Sequence, residues 1–410
     1  MDLLPKALGT RPRLAVEIRP EGVIAARAED AAAVLTAVSQ GLLSQGAVAP
    51  GLRHGNIVNR AATVAAVKKA LEAVTLRERE TSVVIPDTAV RVLLLDFDSL
   101  PAKAVEALPV VRFRLKKLLP FDADDAMVSY QVMSTTKNMV RVLAVAVPRE
   151  VLAEYESIVR EAGFEPGAVL PSTLASLSGL EQIDGPTLVV NVGETSVTTA
   201  IVQAGVLLLH RTVDLTAEGI VEVKPAEVQP SFEVPAELLA LPLVDPDDSA
   251  GEWAMQKPVT GYGVLDDEHI SAEAEMQARL LQEQLERELA EELEREAIAQ
   301  TVLPAFAREM GAKEPERMTA AAREVTQAVN VAVAYFEDTL HTHPETVMAA
   351  GTMGAGVLRE LMHESGWASL GDVRNMQVNE MVELAMLAGG ASTTRAPQGW
   401  LAGVRGALRS

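Results

Sequence analysis

Residues 187–205, TLVVNVGETSVTTAIVQAG, set a Gly and two hydroxyl side chains at a bend between two β-branched runs. Val189 and Val190 belong to the first run and residues 197–202 to the second, types that suit a pleated, half-buried surface. At the bend, Gly193 lets backbone N–H groups approach an anion, and Thr195 and Ser196 add donors, so the chemistry on offer is phosphate binding. The same residues suit an ordinary β-hairpin whose Gly only permits the turn. Asn191 opens the bend where a carboxylate would be needed to help hold a cation. A second candidate is residues 346–356, TVMAAGTMGAG, a strand running into a Gly-rich turn with a helix over 357–362. Gly351 and Gly354 there fit a nucleotide's phosphates or sugar at a helix N-terminus, and equally a tight βα connection. His341 and His343 read as surface residues rather than metal ligands.

The elements that would position these turns alternate along the chain. Residues 14–18 and 22–28 read as a strand and its hairpin partner, 63–74 as a helix with Val64, Val67, Leu71 and Val74 at three-to-four spacing, and 82–85 as a buried strand closed by Pro86 and Asp87. A strand over 91–97, a helix over 102–119, strands over 128–133 and 140–147 and a helix over 149–162 capped by Gly163 follow. A helix over 320–340 carries Val325, Val329, Val333 and Phe336 on one side.

Residues 221–260 behave differently, with six prolines and no sustained period, and read as a linker. Residues 271–299 then read as a long charged helix with Leu281, Leu285, Leu289 and Leu293 in a narrow stripe. Residues 221–300 hold 20 Asp plus Glu against 5 Lys plus Arg, so most of the net charge of -21 lies there. Such acidity disfavours nucleic acid and charge-driven membrane binding. Cysteine is absent, no run reaches the roughly 18 apolar residues of a membrane span, and the start MDLLPK has no signal-peptide pattern, which together read as soluble and cytoplasmic.

In this order the pieces resemble the actin-like ATPase superfamily, and within it the type IV pilus assembly family PilM, relatives of the cell-division protein FtsA. The most specific stretches are VVIPDTAVRVLLLDFDSLP at 83–101, KKLLPFDADDAMVSYQVM at 116–133 and RVLAVAVPREVLAEYESIVREAGFEPGAVLPSTLASL at 141–177. The resemblance implies an α/β, bilobed actin-like (ribonuclease H-like) fold divided at 1–82, 83–172, 173–220, 221–300 and 301–410. Of these, 83–172 is an inserted β-α-β-β-α subdomain and 221–300 an acidic linker plus long helix without a family counterpart. It implies ATP and Mg2+ between the lobes, held by Glu17, Asn191, Gly193, Thr195, Ser196, Gly351 and Gly354. It also implies a partner: the short cytoplasmic N-terminal tail of a PilN-like, single-pass inner-membrane protein, docked beside Arg112, Leu115 and Phe121. The location it implies is cytoplasmic, peripheral to the inner membrane, in pilus assembly with twitching motility or a related type II secretion system. Contact with the assembly ATPase and self-association are further expectations. Residues 1–5, MDLLP, resemble the docking motif of the partner tails themselves.

The nucleotide positions depart from the family pattern. In EIRPEGVI at 17–24, Arg19 replaces a Gly, Pro20 removes an N–H donor, Glu21 adds a negative charge and Ile24 stands in place of a Lys. The second loop has Asn191 for Asp, and the adenosine turn begins Ala349-Ala350 before Gly351. A scaffold with ATP binding weakened or lost is the leading expectation. A working actin-like ATPase or small-molecule kinase is the alternative, using Glu17 or Asn191 with Mg2+.

Overall fold

In a computed structural model, residues 12–180, 185–215, 320–342, 344, 346–364, 377–382 and 398–409 are described. The linker expected at 221–260, the helix expected at 271–299, residues 1–5 and His343 lie outside them. The first sheet starts from the expected hairpin. β1 (Leu14–Arg19) pairs antiparallel with β2 (Gly22–Ala28), and β2 with β3 (Leu35–Leu42). β4 (Glu80–Ile85) runs parallel to β1, and β8 (Glu165–Pro171) parallel to β4, giving the order β3-β2-β1-β4-β8. The second sheet repeats the scheme with β9 (Thr187–Val192), β10 (Ser196–Gln203), β11 (Val206–Asp214), β12 (Thr346–Gly351) and β13 (Gln377–Glu380), ordered β11-β10-β9-β12-β13. Each sheet is an antiparallel meander extended by two parallel strands, so β1 and β9 hold equivalent central places.

Helices cover these sheets where their apolar faces allow. α1 (Arg60–Val74), whose Asn59 side chain caps the Ala62 N–H, buries Val67, Ala70, Leu71 and Val74 against the first sheet. α3 (Arg149–Glu161) buries Val151, Tyr155, Ile158 and Val159 in the same cluster. α5 (Ala320–Tyr335) and α6 (Gly354–Glu364) cover the second sheet, with Val325, Val329, Phe336 and Leu358 buried on Leu188, Val190 and Ile201. The expected single helix to residue 340 ends as α-helix at Tyr335; Phe336–Leu340 form a π-turn closed by His341 in the left-handed region.

Between the two sheets lie α4 (Ser172–Ser178) and α7 (Leu401–Leu408), joined in one cluster with Ile24, Val84, Val189, Ala200 and Trp400. Their approach depends on Gly406, where a Cβ would overlap the Ala175 carbonyl.

Both ends of 83–172 join the first sheet. β4 is bonded into the first sheet and α3 packs on α1. What stands apart is the antiparallel sheet β5-β7-β6, from β5 (Arg91–Phe97), β6 (Ala126–Thr135) and β7 (Val140–Pro148), covered by α2 (Ala104–Leu115).

Candidate functional site

Equivalent strands bring Glu17 of β1 and Asn191 of β9 to the cleft between the sheets, and both are buried. Between them lies Arg19. Its Nε donates to Glu17 Oε1 at 2.6 Å, and its Nη2 donates to Asn191 Oδ1 at 2.9 Å and to Ser172 Oγ at the first turn of α4. Ser172 Oγ in turn donates to Glu17 Oε1 at 2.7 Å. Burial pushes the Glu17 carboxyl upward, and the Arg19 charge and the Ser172 hydroxyl pull it back only in part, so it stays above the usual carboxylate range. Burial works against the Arg19 charge too, but Glu17 and Glu21 outweigh it and hold the guanidinium protonated.

The amide of Asn191 faces two ways. Its Nδ2 donates to Thr173 Oγ1 at 2.9 Å and Ser172 Oγ at 3.0 Å, and approaches Asp87 Oδ2 at 3.4 Å. Asp87, in the turn after β4, accepts from the Thr173 N–H at 3.0 Å, Thr173 Oγ1 at 2.6 Å and Thr198 Oγ1 at 3.1 Å. The sequence drew attention to Pro86-Asp87 only as a turn signal and missed Ser172, Thr173 and Thr198 altogether. Isolated hydroxyls in helix and strand give no local pattern that marks a site.

Gly193, Thr195 and Ser196 form the turn between β9 and β10, where the Gly193 N–H donates to the Ser196 carbonyl at 2.9 Å. An anion does approach this turn, and it is Glu21. Glu21 Oε1 accepts from the Glu194 N–H and, at 2.9 Å, from the Thr352 hydroxyl. A Cβ on residue 193 would stand 2.8 Å from that oxygen, so Gly193 supplies the clearance expected of a phosphate loop. Gly351 has φ +85°, and a Cβ there would overlap the Val192 carbonyl; Thr352 N–H continues the pairing to that carbonyl at 2.8 Å. Gly354, at φ +78°, opens α6, where the Ala355 N–H donates to Glu380 Oε1 at 2.7 Å. Asn191, Thr195 and Ser196 line one small cavity with Arg19 and Glu21; Glu17 touches Arg19, Gly193 lies against Glu21, Gly351 lies against Asn191, and Gly354 meets Glu380.

ATP and Mg2+ do not fit this arrangement. The Glu194 N–H and the Thr352 hydroxyl, donors a phosphate would need, hold a carboxylate, and a guanidinium stands between Glu17 and Asn191, the side chains expected to help hold a cation. The cavity left among Arg19, Glu21, Asp87, Ser172, Asn191 and Thr195 is about 10 Å³, room for about one water.

The expected partner residues all lie in the inserted unit. Leu115 is fully buried in the core of the inserted sheet, with Phe121 packed beside that core. Arg112 Nη1 donates to the carbonyls of Ala123 and Ala126, tying α2 to the start of β6. The outer face of α2 instead exposes Val105, Phe113 and, just beyond its end, Leu118. A groove does lie where the first sheet's loops, the start of the inserted unit and β11 of the second sheet meet: a cavity of about 460 Å³ bordered by Pro50, Arg53, Thr88, Arg91, Thr212 and Asp214. Its wall is held from behind. Glu154 of α3 accepts from the Gly55 N–H at 2.6 Å and the Ile57 N–H at 3.1 Å, and Asn56 Oδ1 accepts from the Gly51 N–H at 2.8 Å and from the Tyr155 hydroxyl at 3.2 Å. Burial lowers the Arg91 pKa, and among the described residues no carboxylate pairs with it.

No protein-family model matches the chain, and no curated protein matches it in sequence. Among solved structures, a chain of the PilM-PilN type IV pilus biogenesis complex is similar over 97% of this chain and 97% of its own length, with 17% identity and a TM-score of 0.57. The ethanolamine utilization protein EutJ from Carboxydothermus hydrogenoformans aligns over 99% of this chain and 91% of its own, with 12% identity and a TM-score of 0.41. The cytoplasmic domain of EpsL, an inner-membrane component of the type II secretion system of Vibrio cholerae, aligns over 49% of this chain and 71% of its own, with 14% identity and a TM-score of 0.32. The first likeness shows the fold, and the α/β actin-like architecture expected from the sequence stands. Among the described residues no helix is long and apolar enough to cross a membrane.

Proposed function

We propose that the chain is a cytoplasmic actin-like scaffold of a type IV pilus or related secretion platform, which holds the N-terminal tail of a PilN-like single-pass inner-membrane protein and has weakened or lost ATP binding. The observation that carries this reading is a contrast: the space among Arg19, Glu21 and Asn191 is filled down to about 10 Å³, while the groove among the first sheet's loops, the inserted unit and β11 is open, at about 460 Å³. A chain of this fold in a PilM-PilN complex makes such a tail the occupant to test first. Glu154 and Asn56 fix the groove wall in advance, which lowers the ordering cost of binding an extended peptide. Arg53 and Arg91 bring cations to its border, so the tail's backbone carbonyls and any carboxylate meet donors there. In this reading Leu115, Arg112 and Phe121 contribute by holding the inserted unit's shape beside the groove.

A synthetic peptide of the cytoplasmic N-terminal tail of a PilN-like protein, immobilised and presented to the purified full chain, tests the proposal. Retention that is lost on Arg91→Glu supports it. No retention of a chain shown separately to be folded removes it.

A further inference from the structure

The mismatch with ATP and Mg2+ has a pattern. The turn between β1 and β2 carries a cation and then an anion, Arg19 and Glu21, separated by Pro20, and each meets groups of the second sheet. Glu21 lies on the donors of the second loop, the Glu194 N–H and the Thr352 hydroxyl. Arg19 lies between Glu17 and Asn191. Pro20 has no N–H to satisfy and fixes φ. Glu380 repeats the substitution at α6, where its carboxylate meets the Ala355 N–H. Glu21 Oε2 is buried and has no hydrogen-bond partner among the described residues, so the carboxylate is held there without being fully satisfied by the chain.

We propose that the β1–β2 turn is the resident ligand of the interlobe cleft, with the Glu21 carboxylate in the oxyanion site formed by the Glu194 N–H and the Thr352 hydroxyl, and the Arg19 guanidinium in the cation position. A bound nucleotide joins two lobes by touching both; here Arg19 and Glu21 extend from the first sheet to Asn191, Glu194 and Thr352 of the second. The ligand is part of the chain, so its local concentration is fixed by the turn and a diffusing anion competes at a disadvantage. Once the carboxylate is removed, the chemistry of the vacated donors selects a small oxyanion.

The full-length wild type and Glu21→Ala are melted against increasing sodium pyrophosphate, with sodium chloride at matched ionic strength as the control. The variant is expected to melt several degrees below wild type and to regain stability in a saturable way with pyrophosphate and not with chloride, while the wild-type Tm stays put. A wild type that pyrophosphate stabilises, or a variant that is not destabilised or that pyrophosphate does not stabilise, overturns the proposal. If Glu21→Ala does not fold, amide exchange on the wild type decides. Protection of the Glu194 amide comparable to that in β10 supports the proposal, and exchange at the rate of an open loop contradicts it.

Discussion

Arg19 Nη2 donates to Asn191 Oδ1 at 2.9 Å, a bond between central strands of opposite lobes. The position that lacks its expected carboxylate is therefore an acceptor for an internal cation. It is also a donor, through Nδ2, to hydroxyls already committed elsewhere: Ser172 to Glu17 and Thr173 to Asp87. An amide serves both sides, whereas a carboxylate serves only one.

Asn191→Asp should accordingly destabilise the protein by about 1–3 kcal/mol, because its second oxygen would meet acceptors and the Asp87 carboxylate. Urea unfolding checks this, with the midpoint falling. If restoring the family's acid stabilises the chain, the network drawn above is wrong.

Arg19→Met leaves the buried Glu17 without its cation, with only the Ser172 hydroxyl donating to it, and is expected to cost about 3–5 kcal/mol. Glu17→Gln in the same chain should return part of it, and a double-mutant cycle reads the coupling. Additive effects would show that the two side chains do not work as a pair.

Leu115→Ala should cost about 2–5 kcal/mol through the cavity it leaves in the inserted sheet's core. Phe113→Ala, on the exposed face of α2, should change stability by no more than about 0.5 kcal/mol. Equal effects in thermal unfolding would mean that α2 is packed the other way round.

Burial lowers the pKa of His210, whose Nε2 has no hydrogen-bond partner among the described residues. The folded chain then binds fewer protons here than the unfolded chain below the ordinary histidine pKa of about 6.5. Stability from His210 is present above that pH and lost as pH falls through it. His210→Phe should flatten the decline in Tm between pH 7.5 and 5.5 relative to wild type; parallel curves would place the acid sensitivity elsewhere.

Much of the scaffold was legible because its strands are β-rich and bounded by turn residues: 91–97 was read to the residue, and the β1–β2 and β9–β10 hairpins within a residue or two. What escaped lacks a period. In α7, LAGVRGAL, every residue is buried between two sheets, so there is no polar face to alternate with the apolar one. β8, EPGAVLP, has two prolines and a Gly and survives as a strand at the sheet's edge. At the site, the family resemblance pointed to Asn191, Thr195 and Ser196, which line the small cavity, and marked Arg19, Pro20 and Glu21 as foreign to a phosphate loop. It read Glu21 as a charge that repels a ligand. Only the fold brings the residue 21 carboxylate to the Glu194 N–H and the Thr352 hydroxyl.

Millimolar Mg-ATP added to the wild-type chain in a thermal melt tests the occupied cleft most directly. Ligand at about 100 times its Kd adds about 2.7 kcal/mol to stability, so binding would show plainly. An unchanged Tm is the result predicted here. A rise that saturates with Mg-ATP would contradict it.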